Sequence, residues 1–383
     1  MKDLRIGVIG SWGRGRLAEH ADQPGKGSRI VAGMDAIPEN LASFKELHGD
    51  AVHTYTDHNQ MLDKEQLDAV FVASPDYCHE EQAVAVLEHG IPLYLEKPMA
   101  ITIKGCDRIM RTARSRKTKL FMGHNMRYMA FIQKMKSLID EGAIGEVKAV
   151  WCRHFIAYGG DAYFRDWHSE RKNTTSLLLQ KATHDIDVIH WLAGSFATHV
   201  SGVGSLGVYN RCARRDPSEK GDASFNDAHW PPLKQSGLSP AIDVEDHSMI
   251  MMRMRNGVEA SYMQCHYAPD AWRNYTVIGT AGRIENYGED TGTIEVWTKR
   301  GGYQLHGDRS LPVEQEEGSH GGADPKIVQS FLAYVRGEER PLSSPQASRY
   351  SVAAGCKGAE SIRGGGGFLK IPQLSEELEK YVF

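Results

Sequence analysis

Short apolar runs alternate with amphipathic segments along the first third of the chain. The amphipathic segments have the spacing of helices, for example ENLASFKELHG (39–49) and HEEQAVAVLEHG (79–90). The apolar runs have the length and composition of buried strands: LRIGVI (4–9), RIVAGM (29–34), LDAVFVA (67–73) and PLYLE (92–96). Strands that alternate with helices form parallel sheets, so this region predicts a doubly wound α/β domain over residues 1–125.

After residue 125 the pattern changes. One helical segment, FIQKMKSLIDEG (131–142), is followed by β-rich runs separated by turn residues, at 146–155, 198–209, 247–255, 258–267, 275–280, 283–288 and 293–299. Asn256-Gly257 lies between two of these runs and predicts a hairpin with a type I′ turn. We therefore predict a second domain over residues 126–383, an α+β domain with a large, mostly antiparallel open sheet.

Two segments of this second region depart from the strand pattern. Residues 211–240 are polar and rich in turn formers, and they predict a long excursion from the sheet, either a lid or a dimer arm. ADPKIVQSFLAYVRG (323–337) predicts a helix, with Asp324 placed to cap it and Pro325 in its first turn.

Charge and cysteine usage narrow the class of protein. The 383 residues include 45 basic and 49 acidic side chains, and the lack of a basic run argues against a nucleic-acid partner. Six single cysteines suit a reducing compartment, because they form neither a CxxC pair nor a disulfide framework. The chain has no run of eighteen apolar residues and no signal-like start, so we expect a cytoplasmic protein without a membrane partner.

The first strand leads into a glycine-rich loop that is typical of dinucleotide binding. The second strand ends on Asp35, where a carboxylate would bond the adenosine ribose and repel the 2′-phosphate of NADP, which favours NAD. Asp35 could otherwise be a turn or cap residue. Trp12 stands where a second glycine is usual, so Gly13 would have to supply the backbone freedom. The candidate cofactor-binding residues of this loop are Gly10, Ser11, Trp12, Gly13, Arg14 and Gly15.

Ligands of parallel sheets bind outside the carboxyl ends of the strands. Lys97 follows such an end in YLEKPMA (94–100), and it could be either a solvated charge or a group that faces the cofactor crevice. Because it shares its edge with the glycine loop and Asp35, we favour the crevice. The further candidates for cofactor binding at this edge are Ser74, Pro75, His79 and Glu96.

Several of these motifs together resemble the glucose-fructose oxidoreductase / inositol dehydrogenase / rhizopine-catabolism (Gfo/Idh/MocA) family. They are GVIGSWGRG (7–15), ASPDYCHEEQAVAVLEHGIPLYLEKPMA (73–100), GHNMRY (123–128) and EGAIGEVKAV (141–150). The resemblance implies that Lys97 lies near the nicotinamide and the substrate and that the bond before Pro98 is often cis. Asn125, in GHNMRY, is a further candidate for cofactor binding. The resemblance also implies hydride transfer between NAD and a sugar or polyol.

A second informative stretch is LLLQKATHDIDVIHWLAG (177–194). A helix that begins near Thr183 would place His184 and Asp187 on one face, and a histidine there could simply be a buried packing residue. The resemblance implies instead that His184 acts on the substrate hydroxyl. Many relatives carry an aspartate four residues earlier, where this chain has Gln180. Lys181 could replace that missing acid-base group, and Lys97 would hold the developing alkoxide.

A polyhydroxylated substrate also needs hydrogen-bonding groups and a flat apolar surface. Each candidate for this role could equally be a packing or surface residue: Arg127, Tyr128, Tyr163, Trp167, His168, Asp187 and His320. A metal site at His184, Asp185, Asp187 and His190 is the competing interpretation, but two of these four residues point the wrong way around a helix.

The sequence thus predicts an NAD-dependent sugar or polyol dehydrogenase without a metal. One alternative is a redox-neutral enzyme that cleaves glycosides with a retained NAD. The other is a regulator that binds NAD or a sugar without catalysis. By analogy with the family, we expect a homodimer or homotetramer.

Overall fold

The structure is a computed structural model that describes residues 2–289, 291–314 and 317–383. Its strands are β1 Leu4–Ile9, β2 Ser28–Met34, β3 His53–Tyr55, β4 Ala69–Val72, β5 Leu93–Glu96, β6 Leu120–Gly123, β7 Val147–Phe155, β8 Ala197–Ser205, β9 His247–Met254, β10 Glu259–Cys265, β11 Trp272–Gly279, β12 Arg283–Tyr287, β13 Gly292–Trp297, β14 Arg309–Val313 and β15 Leu369–Lys370. Its helices are α1 Pro38–His48, α2 His58–Lys64, α3 His79–Glu88, α4 Ile103–Arg116, α5 Ala130–Asp140, α6 Gly159–Tyr163, α7 Arg171–Thr174, α8 Leu177–Gln180, α9 Thr183–Ala193, α10 Ala323–Arg336, α11 Pro345–Arg363 and α12 Glu376–Glu379.

The chain forms two compact units. Unit 1 comprises Met1–Tyr128, Gly318–Arg349 and Leu374–Phe383, and unit 2 comprises Met129–Glu317 and Tyr350–Gln373. Two C-terminal segments therefore belong with the N-terminal region, which the sequence pattern did not indicate. The domain boundary at residues 125/126 stays a prediction.

Unit 1 is built on a parallel sheet with the strand order β3-β2-β1-β4-β5-β6, counted over the described residues. This is the predicted Rossmann-type arrangement, in which the order reverses between β1 and β4 and leaves a crevice at the carboxyl ends of those strands. Strands β4, β5 and β6 are buried along their whole length, which explains their largely apolar sequences.

Helix α10 packs on the unit 1 core although it lies some two hundred residues beyond β6. Its Phe331 ring lies 5.0, 5.5 and 5.5 Å from the ring centroids of Phe71, Tyr94 and Phe121. These edge-on contacts between buried rings have a favoured geometry of aromatic pairs. The C-terminal segment is therefore part of the hydrophobic core of unit 1.

Unit 2 is built on a sheet with the order β14-β13-β12-β11-β7-β10-β9-β8-β15 across the described part of the chain. Only the β7–β10 pair is parallel there, so the predicted mostly antiparallel open sheet is confirmed. Strand β14, which ends just before residues 315 and 316, was not predicted.

The β9–β10 hairpin forms at Asn256-Gly257, but its turn is not type I′. Gly257 has φ +86°, whereas Asn256 is not among the residues with positive φ. Met254 and Val258 close the loop with a backbone hydrogen bond of 2.8 Å, which leaves three loop residues. A three-residue loop needs the left-handed conformation only at its last position, and Gly257 occupies that position.

Two further expectations have different outcomes. Residues between β8 and β9 do leave the sheet, and Tyr209 and Leu238 from this excursion join a buried cluster with Phe164. Helix α10, in contrast, begins after Gly322 without a side-chain cap, because the Asp324 carboxylate binds other groups.

Over the residues that the structure describes, none of the helices has the length and apolar character that a membrane crossing requires.

Candidate functional site

The glycine loop of unit 1 approaches the neighbouring backbone closely. Gly10 has φ +79°, and a Cβ atom there would lie 2.6 Å from the backbone nitrogen of Ser74. A Cβ atom at Gly15 would lie 1.8 Å from the carbonyl oxygen of Gly10. Gly13 has φ +57°, while Trp12 is extended and 46% exposed. Gly13 thus supplies the freedom that Trp12 lacks, as expected, although a 3-10 helix, Gly13–Ala21, follows instead of an α-helix.

Asp35 directly follows β2, next to this loop, and is buried. Its Oδ2 atom accepts hydrogen bonds from the backbone nitrogen and the hydroxyl of Ser11, at 3.1 and 3.3 Å. Its Oδ1 atom accepts from the backbone nitrogen of Ile37 and the side chain of Asn40, at 3.0 and 3.1 Å. The carboxylate therefore orders the glycine loop, in addition to any contact with a ligand.

The turn after β5 carries Lys97, and the Lys97–Pro98 peptide bond is cis. His79 lies under this turn, with its ring nitrogens 2.7 Å from the Pro98 carbonyl oxygen and 2.9 Å from that of Ser74. The Ser74 hydroxyl donates to Gln82 at 2.5 Å. His79 thus links the end of β4 to the Lys97 turn, and both of its nitrogens contact the protein backbone.

Glu96 and Arg14 connect this turn to the glycine loop. Glu96 Oε2 accepts from the Lys97 backbone nitrogen at 2.9 Å, and Glu96 Oε1 accepts from Arg14 Nε at 2.7 Å. The two terminal nitrogens of Arg14 donate to Asp324 at 2.7 and 2.9 Å. The Arg14 guanidinium is therefore held between two carboxylates.

Asp324 is a functional candidate that sequence reasoning missed. It also accepts hydrogen bonds from Asn125, Ser319 and His320, at 3.0, 2.7 and 2.8 Å. Burial alone would raise the pKa of this carboxyl, but the hydrogen bonds from His320 and Arg14 and the Arg14 charge outweigh burial and hold the pKa well below its usual range. Its position in the segment SHGGAD (319–324), which also contains the candidate His320, was the available signal.

These residues fit a dinucleotide. The open glycine loop and the Asp35 carboxylate match the pyrophosphate and ribose positions of such sites. The Asn125 side chain is 1% exposed, and over the described residues its Oδ1 atom has no hydrogen-bond partner. A buried acceptor without a partner is costly, and a ligand with an N–H or O–H group would satisfy it. Asn125 thus offers an acceptor to a bound molecule.

Arg127 and Tyr128, predicted substrate contacts, are buried in unit 1. Arg127 donates to the carbonyl oxygen of Leu342 at 2.5 Å, and the Tyr128 hydroxyl donates to Ser330 at 2.9 Å. Burial raises the pKa of Tyr128. Both side chains therefore stabilise the packing of the C-terminal segments, and their contact with substrate stays a prediction.

In unit 2, helix α9 begins at Thr183 as predicted and carries His184, which is partly exposed, and Asp187, which is 1% exposed. Asp185, between them, is fully buried against the sheet. Its carboxylate accepts hydrogen bonds from Tyr262, at 3.1 Å, and from Tyr275. This network fixes the rotation of α9 on the sheet and hence the side of the helix on which His184 lies.

Two basic groups also contact the Asp185 carboxylate. Arg273 Nε lies 3.0 Å from Oδ1, and His154 Nδ1 lies 3.2 Å from Oδ2. Burial would raise the pKa of Asp185, but the Arg273 charge and the interactions with His154 and Tyr275 together outweigh burial and lower that pKa. Burial, assisted by the Arg273 charge, lowers the pKa of His154 to about 3. His154 is therefore neutral at physiological pH, and Arg273 is the cation that pairs with Asp185.

Lys181 lies in an aromatic setting between α8 and α9. Its ammonium is 5.5 and 5.7 Å from the ring centroids of Tyr158 and Tyr163. Burial raises the pKa of Tyr163, against the opposing effects of the Lys181 charge and hydrogen bond. Tyr163 also meets the His168 ring edge-on at 5.3 Å, and His168 stacks on Trp167 at 3.7 Å. The structure thus groups four of the predicted residues of unit 2, and sequence reasoning missed Tyr158.

The metal interpretation has no geometric support in the part of the chain that the structure covers. No three His, Cys, Asp or Glu side chains are grouped there in a way that could hold a metal ion. Asp185 and His190 instead use their side chains in hydrogen bonds within unit 2.

The parallel sheet, the glycine loop and its acid define the first unit as a dinucleotide-binding domain of the oxidoreductase type. The chain belongs to the Gfo/Idh/MocA oxidoreductase family, as its motifs indicated. Residues 4–124 match the oxidoreductase family's NAD-binding Rossmann fold, and residues 136–370 match that family's C-terminal alpha/beta domain. The NAD-binding nature of the first domain and the predicted fold class are thereby confirmed.

Relatives and solved structures agree with this assignment. YteT of Bacillus subtilis (strain 168), whose name marks it as a candidate oxidoreductase, is 26% identical over 88% of each chain. An inositol 2-dehydrogenase of Ralstonia nicotianae is 29% identical over 63% of this chain and 66% of its own length. A levoglucosan dehydrogenase structure in complex with NADH and levoglucosan has a TM-score of 0.77 at 20% identity and covers 97% of this chain and 100% of its own. That structure supports the fold.

Proposed function

We propose that this protein is an NAD(H)-dependent oxidoreductase that transfers a hydride between the nicotinamide and a secondary alcohol or ketone. Its substrate is a sugar, a cyclic polyol or a sugar derivative. The observation that carries the proposal is the position of Lys97, which follows β5 at the sheet edge shared by the glycine loop and Asp35. The inositol and levoglucosan dehydrogenases named above support the substrate class.

Bound NAD supplies the acceptor for the hydride, and the chain's own residues manage the proton and the developing charge. The Lys97 ammonium stabilises the alkoxide oxygen by charge and hydrogen bonding. His184 exchanges the hydroxyl proton, since an imidazole ring can both accept and donate a proton. The Asp185 network supports this role because it fixes the helix that carries His184.

Lys181 is the proposed second acid-base residue. It occupies the region where Gln180 replaces the aspartate of many relatives, and its ammonium lies between two tyrosine rings. Those rings stabilise the cation and hold it in place, and Tyr163 bonds it directly. A lysine held this way can hand a proton to, or take one from, a neighbouring hydroxyl.

The substrate contacts are proposed on the same basis. Trp167 and His168 present stacked flat surfaces that suit the apolar face of a sugar ring. Tyr163 offers a hydroxyl beside them. The remaining candidates for binding substrate hydroxyls are Arg127, Tyr128, Asp187 and His320.

We also propose that a second copy of the chain covers one face of the unit 2 sheet. That face exposes Trp151, Val203, Met249, Met251 and Phe368, and a groove of about 550 Å³ runs along it. A contiguous apolar surface of this kind on a sheet commonly marks an association site. Homodimerisation would remove it from water, and a homotetramer would build on the same contact.

The proposed function is tested by incubating the purified chain with NAD⁺ and a panel of cyclic polyols, sugars and anhydrosugars while NADH absorbance is followed. Net NADH formation with at least one polyol or sugar is the expected result. Product formation with cofactor that copurifies and shows no net reduction would indicate the redox-neutral alternative. Binding of NAD and a sugar without any chemical change would indicate the regulator.

A further inference from the structure

Asp324 connects four segments of unit 1 that are far apart in sequence: three contribute to hydrogen bonds at its carboxylate, and the turn after β5 is linked to it through Arg14. The four segments are the glycine loop, the turn after β5, the segment after β6 and the SHGGAD segment. Asp324 Oδ1 accepts from Arg14 and Asn125, and Oδ2 accepts from Arg14, Ser319 and His320. The carboxylate thus accepts five hydrogen bonds, more than its usual four lone-pair directions provide without sharing.

The Arg14 side chain transmits this contact to the Lys97 turn. Its guanidinium makes a bidentate pair with Asp324, and its Nε atom donates to Glu96 at 2.7 Å. Glu96 in turn accepts the backbone N–H of Lys97. A continuous series of charge-assisted hydrogen bonds therefore runs from Asp324 to the Lys97 turn, and such bonds are about twice as strong as neutral ones.

We propose that Asp324 is a positioning residue, which holds Arg14 and thereby sets the glycine loop and the Lys97 turn in the arrangement that binds the dinucleotide. This inference rests on the proposed function, because it concerns the cofactor of that reaction. Asp324 acts through Arg14 and does not itself contact the cofactor. Arg14 fastens the loop to the turn, and its charge is balanced by two carboxylates, so it is not the ligand of the pyrophosphate.

The inference separates two roles for Arg14. If Arg14 were a phosphate ligand, removal of the Asp324 charge would free the guanidinium and leave binding unchanged or tighter. If Arg14 instead connects the glycine loop to the Lys97 turn, the same change loosens the loop and weakens cofactor binding. Arg14→Lys separates the roles as well, because lysine keeps the charge for a phosphate but cannot make the bidentate pair.

The test measures NADH and ADP-ribose binding to the full chain by calorimetry, without substrate. Asp324→Asn and Arg14→Lys should each weaken ADP-ribose binding by about tenfold or more, since each breaks a largely buried ion pair. The double variant should bind no more than about threefold more weakly than Asp324→Asn alone, because coupled residues are not additive. If Asp324→Asn fails to fold, Arg14→Lys, whose side chain is 29% exposed, carries the test.

Asp107→Asn is the matched control. Asp107 pairs with the buried Arg349 at 2.9 Å in the same unit, so its loss imposes a similar disruption away from the four segments. The control should bind ADP-ribose within about twofold of wild type. ADP-ribose affinity that is unchanged or higher in either test variant, or effects that multiply independently, would overturn the inference. A wild-type chain that binds neither ligand would instead overturn the proposed function, and the inference with it.

Discussion

Ser11 donates two hydrogen bonds to one carboxylate oxygen of Asp35, from its backbone nitrogen at 3.1 Å and from its hydroxyl at 3.3 Å. The acid that follows β2 therefore orders the glycine loop before any cofactor binds. In the proposed function the same negative charge also faces the adenosine ribose and disfavours a 2′-phosphate.

Cofactor preference tests the role of Asp35. Wild type should bind NADH at least about tenfold more tightly than NADPH, because the Asp35 carboxylate repels the additional phosphate. Asp35→Asn should reduce this preference, mainly through tighter NADPH binding, because the repulsion of the 2′-phosphate is removed. Calorimetry with both cofactors measures the ratio, and the exposed Asp50→Asn is the control. Tighter binding of NADPH than of NADH by wild type would refute the argument from Asp35.

The proton-transfer role of His184 predicts a selective loss of turnover. His184→Asn should lower kcat by about 10²- to 10⁴-fold, the usual contribution of general acid-base catalysis, with a smaller change in KM. Lys181→Met should lower kcat as well and alter its pH profile. Steady-state kinetics with the best substrate measures both. The exposed His89→Asn should match wild type, and equal turnover in His184→Asn would remove the residue from the mechanism.

The buried His154 predicts a pH dependence of stability. The pKa of His154 is lowered from 6.5 to about 3 in the folded protein, so between these values the unfolded chain binds a proton that the folded chain does not. Stability should therefore fall as the pH drops below 6.5, by up to about 1.4 kcal/mol per pH unit for this one group.

Comparison with His154→Gln isolates this contribution. The variant should be less stable at pH 7, because it loses the contacts to Tyr262 and Asp185, but its melting temperature should depend less on pH between 4 and 6.5. Melting temperatures of both proteins across this range provide the measurement. Identical pH dependence in the two proteins would show that His154 is not the titrating group.

The exposed face of the unit 2 sheet predicts a homo-oligomer that one charge can disrupt. Met251 is 64% exposed at the centre of that face, so Met251→Glu should place an unpaired charge in the contact between copies and shift the mass toward the monomer. Light scattering after size exclusion measures the mass. Lys134→Glu, on the exposed side of α5, should leave it unchanged, and a monomeric wild type would contradict the proposal.

The sequence predicted the features that depend on local patterns. Period and composition were sufficient for the parallel sheet, for the carboxyl-end position of Lys97 and for the start of α9 at Thr183. These predictions are correct because the burial of a strand or of a helix face dictates which positions are apolar. The glycine loop was readable for a similar reason, since only glycine fits the close approach at Gly10 and Gly15.

The remaining features depend on contacts between distant segments. The sequence predicts a helix cap at Asp324, because an acidic residue near the start of a helix commonly caps that helix. Its actual partner, Arg14, lies 310 residues earlier and cannot be recognised from the local pattern. The partners of Asp185 come from three different strands, and no spacing in the sequence pairs them with α9. The turn at Gly257 differed because the number of loop residues is set by the pairing of the two strands.

The central claim is that Lys97 assists hydride transfer from a carbinol carbon to NAD. It is tested most directly with the best polyol or sugar of the panel, deuterated at the oxidised carbon, by measuring deuterium in the nicotinamide ring for wild type, Lys97→Met and the exposed control Lys104→Met. Wild type and the control should transfer one deuterium for each ketone formed, while Lys97→Met should do so at least about a thousandfold more slowly, with NADH affinity within about threefold of wild type. Unlabelled cofactor from the wild-type reaction, or a wild-type rate in Lys97→Met, would contradict the account.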